Sequence, residues 1–190
     1  MKKVLLYSGG MDSWLIDKLW KPDVKIFIDN DIPYNKIEKS KLPDDVKIIK
    51  FDMKDYELEE NTHTIPLRNL IFICIASYYG NEICLGTVKG DEHYDNSMEF
   101  LNQTEVLLNS LYKEFEALGI GKKEIKVVAP YKNYTKEELL KMYIENGGDI
   151  EKAYKETFSC YTPVNGEECG KCKPCIRKKE AFKANNYLGD

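Results

Sequence analysis

Histidine is nearly absent from this chain, with two in 190 residues, and His63 and His93 stand too isolated to be read as ligands. A histidine-built metal centre is therefore excluded. An excess of basic charge is missing too: Lys and Arg number 28 against 32 Asp and Glu, for a net charge of −4. That balance argues against a duplex partner held by phosphate neutralisation, so no direct nucleic-acid partner is expected. No apolar run approaches the roughly 18 residues of a membrane span, and no basic-then-apolar leader is seen. These absences predict a soluble, cytoplasmic protein with no membrane partner. No internal repeat or low-complexity tract stands out. What remains is the length of one modest domain with 43% hydrophobic residues, enough to bury a core without help from a partner. A homodimer stays open beside the monomer.

Against that background the turn Ser8-Gly9-Gly10-Met11-Asp12-Ser13 is conspicuous, directly behind the apolar run Val4-Leu5-Leu6-Tyr7. It describes a strand opening through a phosphate-sized turn into a helix. Gly9 and Gly10 let the backbone come close to a ligand, while Asp12 or Ser13 can cap the helix that carries Trp14, Leu15, Ile16 and Leu19. Free N–H groups at such a helix start point at an anion, and ATP is the expected occupant. No lysine follows the glycines, so this is not the G-x-x-x-x-G-K-[ST] loop. The carboxylate of Asp12 beside phosphates instead suggests Mg²⁺ between them. The bland alternative is an ordinary strand-to-helix turn with a good cap.

Strand-like runs recur at 24–28, 46–49, 83–85 and 125–128, with helical stretches near 12–20, 34–41, 66–79, 97–118 and 135–145. Thr135-x-x-Glu138 forms a capping box for the last of these. Alternation of this kind predicts an α/β fold, a right-handed, mostly parallel sheet with helices on both faces. Ligands then sit outside the carboxyl ends of the strands. Asp29 and Asn30 after the second strand and Gly86 after the fourth line that crevice, with Asp29 either binding a ribose or adenine edge or capping a loop.

Four of the six cysteines fall in one tract, Cys160, Cys169, Cys172 and Cys175, spaced C-x₈-C-x₂-C-x₂-C. Paired C-x₂-C turns present sulfurs to one tetrahedral ion, and four protein ligands leave no open position for water. The expectation is a structural Zn²⁺. A disulfide framework has no support where nothing indicates secretion, and a redox C-x-x-C does not need four cysteines. Cys74 and Cys84 lie inside apolar patterns and read as core.

The S-G-G-x-D-S turn resembles the pyrophosphate loop of the N-type ATP pyrophosphatases, and with the cysteine tract the chain resembles the 7-cyano-7-deazaguanine synthases of that PP-loop superfamily. The likeness rests on Ser8 to Ser13, on Arg68-Asn69 opening an apolar helix, and on Gly86 through Asp91 to Tyr94-Asp95 and Glu99-Phe100. It closes with Ser159-Cys160-Tyr161, Cys169-Gly170-Lys171-Cys172-Lys173-Pro174-Cys175, Arg177 and Ala181-Phe182. The resemblance implies a Rossmann-like, adenine nucleotide alpha hydrolase-like fold, with residues 1–155 as the ATP-binding part. Residues 156–190 then form a zinc segment and C-terminal helix packed in the same domain. It also implies an ATP-dependent C–N ligase acting on 7-carboxy-7-deazaguanine and ammonia, in which the loop holds the leaving pyrophosphate and AMP is released. Tyr7, Ser8, Gly9, Gly10, Met11, Asp12, Ser13, Asp29 and Gly86 would then face the nucleotide, and Asp12, Ser13 and Lys89 the reacting phosphates.

On that reading the loop 86–95 is the base pocket. Asp91, Asp95 or Glu99 accepts from the donor edge of a guanine-like ring, Tyr94 or Phe100 stacks on it, and Arg68 and Asn69 meet the substrate, Arg68 neutralising its carboxylate or the phosphates. Read from the residues alone, the same loop is also a solvated entry to a helix capped by Asp95 or Ser97. One departure is plain: where the family usually carries a Gly-Gln-x-His stretch after the second strand, this chain has Asn30-Asp31-Ile32-Pro33-Tyr34. Two further readings stay open, another PP-loop adenylating enzyme for a tRNA or small metabolite and a non-catalytic zinc-ribbon module that recognises a nucleotide or protein.

Overall fold

A computed structural model describes residues 1–188 apart from 32, 54, 56–64, 92 and 120, with the backbone alone at 33 and 34. His63 lies outside the described residues. The strands are β1 (Lys3–Leu6), β2 (Val24–Asp29), β3 (Val46–Lys50), β4 (Glu82–Cys84) and β5 (Lys126–Val128), interleaved with α1 (Met11–Trp20), α2 (Pro33–Ser40), α3 (Arg68–Ser77) and α4 (Met98–Ala117). Three more helices follow the last strand, α5 (Lys136–Glu145), α6 (Ile150–Glu156) and α7 (Lys173–Ala184).

The strands pair in parallel in the order β3-β2-β1-β4-β5. Because side chains alternate across a strand, β1 sends Val4 and Leu6 to one face, while Leu5 and then Tyr7 go to the other. Both sets are buried. The first face packs with Ile73 of α3 and with Leu101 and Leu108 of α4, the second with Trp14 and Leu15 of α1, Leu139 and Leu140 of α5 and Phe182 of α7. A parallel sheet covered on both sides reads as continuous Val, Ile and Leu for this reason. Cys84 lies in the second core, and Cys74 packs against the first.

The chain steps outward from β1 to β3 and returns to β4 on the other side of β1. That reversal opens a crevice at the carboxyl ends of β1 and β4, which is where the Ser8–Ser13 turn sits. Among the described residues no helix is long and apolar enough to cross a membrane.

Candidate functional site

The turn after β1 is tied by its own hydroxyls. The Ser8 N–H donates to Ser13 Oγ at 3.2 Å, Ser13 Oγ donates to the Gly10 carbonyl at 3.1 Å, and the Gly10 N–H donates to Ser8 Oγ at 3.3 Å. Gly9 has a φ of 77°, the left-handed region that glycine enters at little cost. Neither Asp12 nor Ser13 is the cap expected from sequence. Helix α1 starts at Met11, so Asp12 and Ser13 lie within its first turn, and the cap position falls to Gly10, which has no side chain to cap it with. An uncapped helix start with its dipole is suited to an anion.

A cavity of about 660 Å³ opens over this turn. Tyr7, Ser8, Gly10, Met11, Asp12 and Ser13 line it from β1 and α1, and Arg68, Asn69, Gly86 and Asp91 line it from across the switch point. Gly9 adjoins, its carbonyl accepting the Phe158 N–H at 3.3 Å. The remaining expected site residues lie off the wall. Asp29 is ion-paired with Lys39 at 2.6 Å, and the Lys89 side chain is exposed. Tyr94 donates its hydroxyl to Gln103 at 3.1 Å, Glu99 accepts from the Gln103 amide at 3.2 Å, and Phe100 meets Tyr94 edge-on at 6.2 Å. The Asp95 carbonyl and the Asn96 side chain accept from the Asn69 amide at 3.3 and 2.9 Å, so Asn69 ties α3 to the 3-10 turn Tyr94–Asn96. From this stretch His93 and Asn96 reach the cavity instead. Ser97, one of the two caps weighed, caps α4 by accepting the Phe100 N–H.

Sequence reasoning missed the partner of Asp12. Lys136, from the first turn of α5, is ion-paired with Asp12 Oδ2, its side chain only 9% exposed. The other oxygen, Asp12 Oδ1, is buried without a hydrogen-bond partner. An orphaned carboxylate oxygen beside a phosphate-sized turn fits a Mg²⁺ ligand. A signal for Lys136 existed: a lysine at a helix N-terminus opposes the dipole, as Arg68 does at the start of α3.

Glu38, on α2, was also unread, and it lines the cavity near Arg68. Burial pushes its carboxyl up to about 8, against the opposing pull of the Arg68 charge and a hydrogen bond from Asn35. The folded protein therefore holds a proton that the unfolded chain releases, and stability falls as pH rises from about 4.5 through 8. Glu38→Gln should leave stability unchanged near pH 4 and gain about 1–2 kcal/mol over the parent at pH 9, a figure discounted for water in the cavity. Urea melts at the two pH values check this, and parallel pH profiles for the two proteins would contradict it.

The four cysteines converge. Their sulfurs all lie within 4.8 Å of one another, with Cys172 to Cys175 at 3.4 Å, Cys172 to Cys160 at 3.9 Å and Cys169 to Cys175 at 4.0 Å. Four sulfurs about 2.3 Å from one ion stand about 3.8 Å apart, so the cluster fits zinc. Hydrogen bonds from the Thr162 hydroxyl and the Lys171 and Cys172 N–H groups bring the Cys169 thiol down to about 6, while burial pushes the Cys160 and Cys175 thiols up, so the case for zinc rests on the convergence of the four sulfurs. The segment also braces the turn, since the Met11 N–H donates to Ser159 Oγ at 3.4 Å beside the Phe158 to Gly9 bond.

A family model described as "Queuosine biosynthesis protein QueC" matches residues 21–186, a span that holds all four cysteines and begins after the Ser8–Ser13 turn. Among curated proteins, a 7-cyano-7-deazaguanine synthase of Rickettsia conorii is 29% identical, covering 97% of this chain and 95% of its own. One from Methanobrevibacter smithii is 32% identical over 80% of this chain and 67% of its own.

Proposed function

This chain belongs to the QueC family of queuosine biosynthesis proteins, and from that premise we propose that it makes 7-cyano-7-deazaguanine from 7-carboxy-7-deazaguanine, ammonia and ATP. The observation that carries the reading is Asp12 at the Ser8–Ser13 turn, paired to Lys136 through one oxygen and orphaned at the other. Asp12 would hold Mg²⁺, which supplies positive charge to the leaving pyrophosphate. The cysteine cluster would hold Zn²⁺ in a structural role.

In the first half of the reaction a substrate carboxylate oxygen attacks the α phosphorus of ATP, and the bond to pyrophosphate breaks. The uncapped start of α1 and the ammonium of Lys136 stabilise the charge that develops on the leaving group, the main device available to such a site. Arg68, which makes no ion pair among the described residues, faces the substrate carboxylate from the opposite wall. Ammonia then attacks the carbonyl carbon of the acyl adenylate, AMP departs with the former carboxylate oxygen, and a proton is released to give the amide. In the second half the amide oxygen attacks a second ATP in the same way, and loss of AMP and of both protons on the amide nitrogen leaves the nitrile.

Mass spectrometry of reactions containing 7-carboxy-7-deazaguanine, ammonium and excess ATP tests the proposal. The expected products are the nitrile, AMP and pyrophosphate. Accumulated amide would mark an enzyme that stops halfway, a specific outcome to watch because Asn30, Asn35 and Glu38 line the wall where the Gln-x-His stretch is absent. Pyrophosphate exchange with another acid, and none with this one, would replace the substrate.

A further inference from the structure

The loop between β4 and the 3-10 turn is held from α7. Arg177 donates from one nitrogen to Asp91 Oδ1 at 3.3 Å and from another to the Lys89 carbonyl at 2.8 Å. The second Asp91 oxygen accepts the Val88 N–H at 3.1 Å and the Thr87 hydroxyl at 3.4 Å. Lys132, in the turn before α5, donates to the Asp91 carbonyl at 2.6 Å and to Thr87 Oγ1 at 3.2 Å. Both carboxylate oxygens of Asp91 are thus engaged within the protein. Gly90 completes the arrangement: its φ is +91°, and a Cβ there would stand 3.2 Å from an Arg177 nitrogen. A planar guanidinium that grips a carboxylate and a carbonyl at once fixes geometry in a way a lysine does not.

We propose that Arg177 is a positioning residue: anchored two residues beyond Cys175, it locks the loop 86–91 into the shape that receives the substrate's base, with Asp91 as the loop's internal brace instead of its ligand. This rests on the reading of the substrate given above. Gly86, Thr87, Gly90 and Asp91 form the wall that Arg177 holds, and Arg177 lines the same cavity. Binding of the base then depends on a contact set by the cysteine segment, at a distance from the phosphate turn.

Arg177→Met and Arg177→Lys test it with two independent readouts. The first is amide hydrogen exchange of the zinc-loaded protein, where the Val88, Lys89 and Asp91 N–H groups should exchange about tenfold faster in Arg177→Met, less so in Arg177→Lys, at unchanged zinc content. The second is kinetic: the KM for 7-carboxy-7-deazaguanine should rise about tenfold, with kcat and the KM for ATP within about twofold of the parent. Unchanged exchange overturns the lock, and an equal rise in both KM values overturns its link to the base. If the parent protein does not use this substrate at all, the substrate reading fails while the exchange result still decides the lock. A third variant, Asp91→Asn, separates the two roles of Asp91. It keeps an acceptor for the Val88 N–H, so the loop should be loosened only in part, whereas a base bound through the carboxylate would be lost altogether.

Discussion

Asp12→Asn should lower the release of AMP and pyrophosphate by about a thousandfold, because the carboxylate is the group that would hold Mg²⁺ against the leaving pyrophosphate, and that is the scale on which a site loses a main stabiliser of leaving-group charge. Asparagine keeps the volume and an acceptor oxygen but not the negative charge. Asp12→Ala is the harsher change, because it strips Lys136, 9% exposed, of its ion-pair partner and leaves a poorly solvated cation. Its loss of activity would be mixed with lost stability, so asparagine is the cleaner variant. Lys136→Met should also cost about two to three orders of magnitude in kcat. The double variant should be little worse than Asp12→Asn alone, since residues that act on one developing charge are not additive. Chromatography of the nucleotide products measures all three. ADP and phosphate as primary products would instead mean attack at the γ phosphorus, and the turn would have a different role.

Cys172→Ser should take zinc from about one per chain to well below that and lower Tm by about 10 °C. Structural zinc contributes directly to folding free energy, and in a chain of this size each kcal/mol moves Tm by about 2–4 °C. The loss should reach beyond the cluster, because the same segment supports the phosphate turn through Phe158 and Ser159. Cys74→Ser is the control. Cys74 sits on α3 outside the cluster, so zinc content should not change. A metal-free protein with undiminished Tm would remove zinc from the account.

The strands were legible because β1, β2 and β4 are buried on both faces and centre on short apolar runs, with Lys25 the one interruption within β2, and α5 was legible because its capping box is local. Helix α6 was not read. It spans only Ile150–Glu156, although Asp149 gives a cap signal by accepting the Glu151 and Lys152 N–H groups. The cysteine cluster declared itself through spacing that turns enforce locally. Contacts between distant segments had no such signature. Lys136 meets Asp12 across 124 positions, and Arg177 meets Asp91 across 86. Their partners are set by how helices seat on the sheet, which periodicity alone does not specify. The loop 86–95 illustrates the limit, since its polar residues are similar on paper and the fold divides those described into cavity wall, internal brace and exposed surface.

The hydrogen bond from the Phe158 N–H to the Gly9 carbonyl has a consequence for how the protein is made. Translation adds about 5–20 residues each second, so the phosphate turn leaves the ribosome roughly 7–30 s before the segment that braces it. During that interval β1, β2 and β4 can pair, but the turn lacks Phe158 and Ser159 behind it, and Lys136 arrives only with α5. The nascent sheet is therefore expected to be blind to nucleotide. On the function proposed above, competence to bind ATP and the capacity to load zinc would arrive together, late in synthesis, and a cell short of zinc would accumulate chains that have folded their sheet without acquiring a working site.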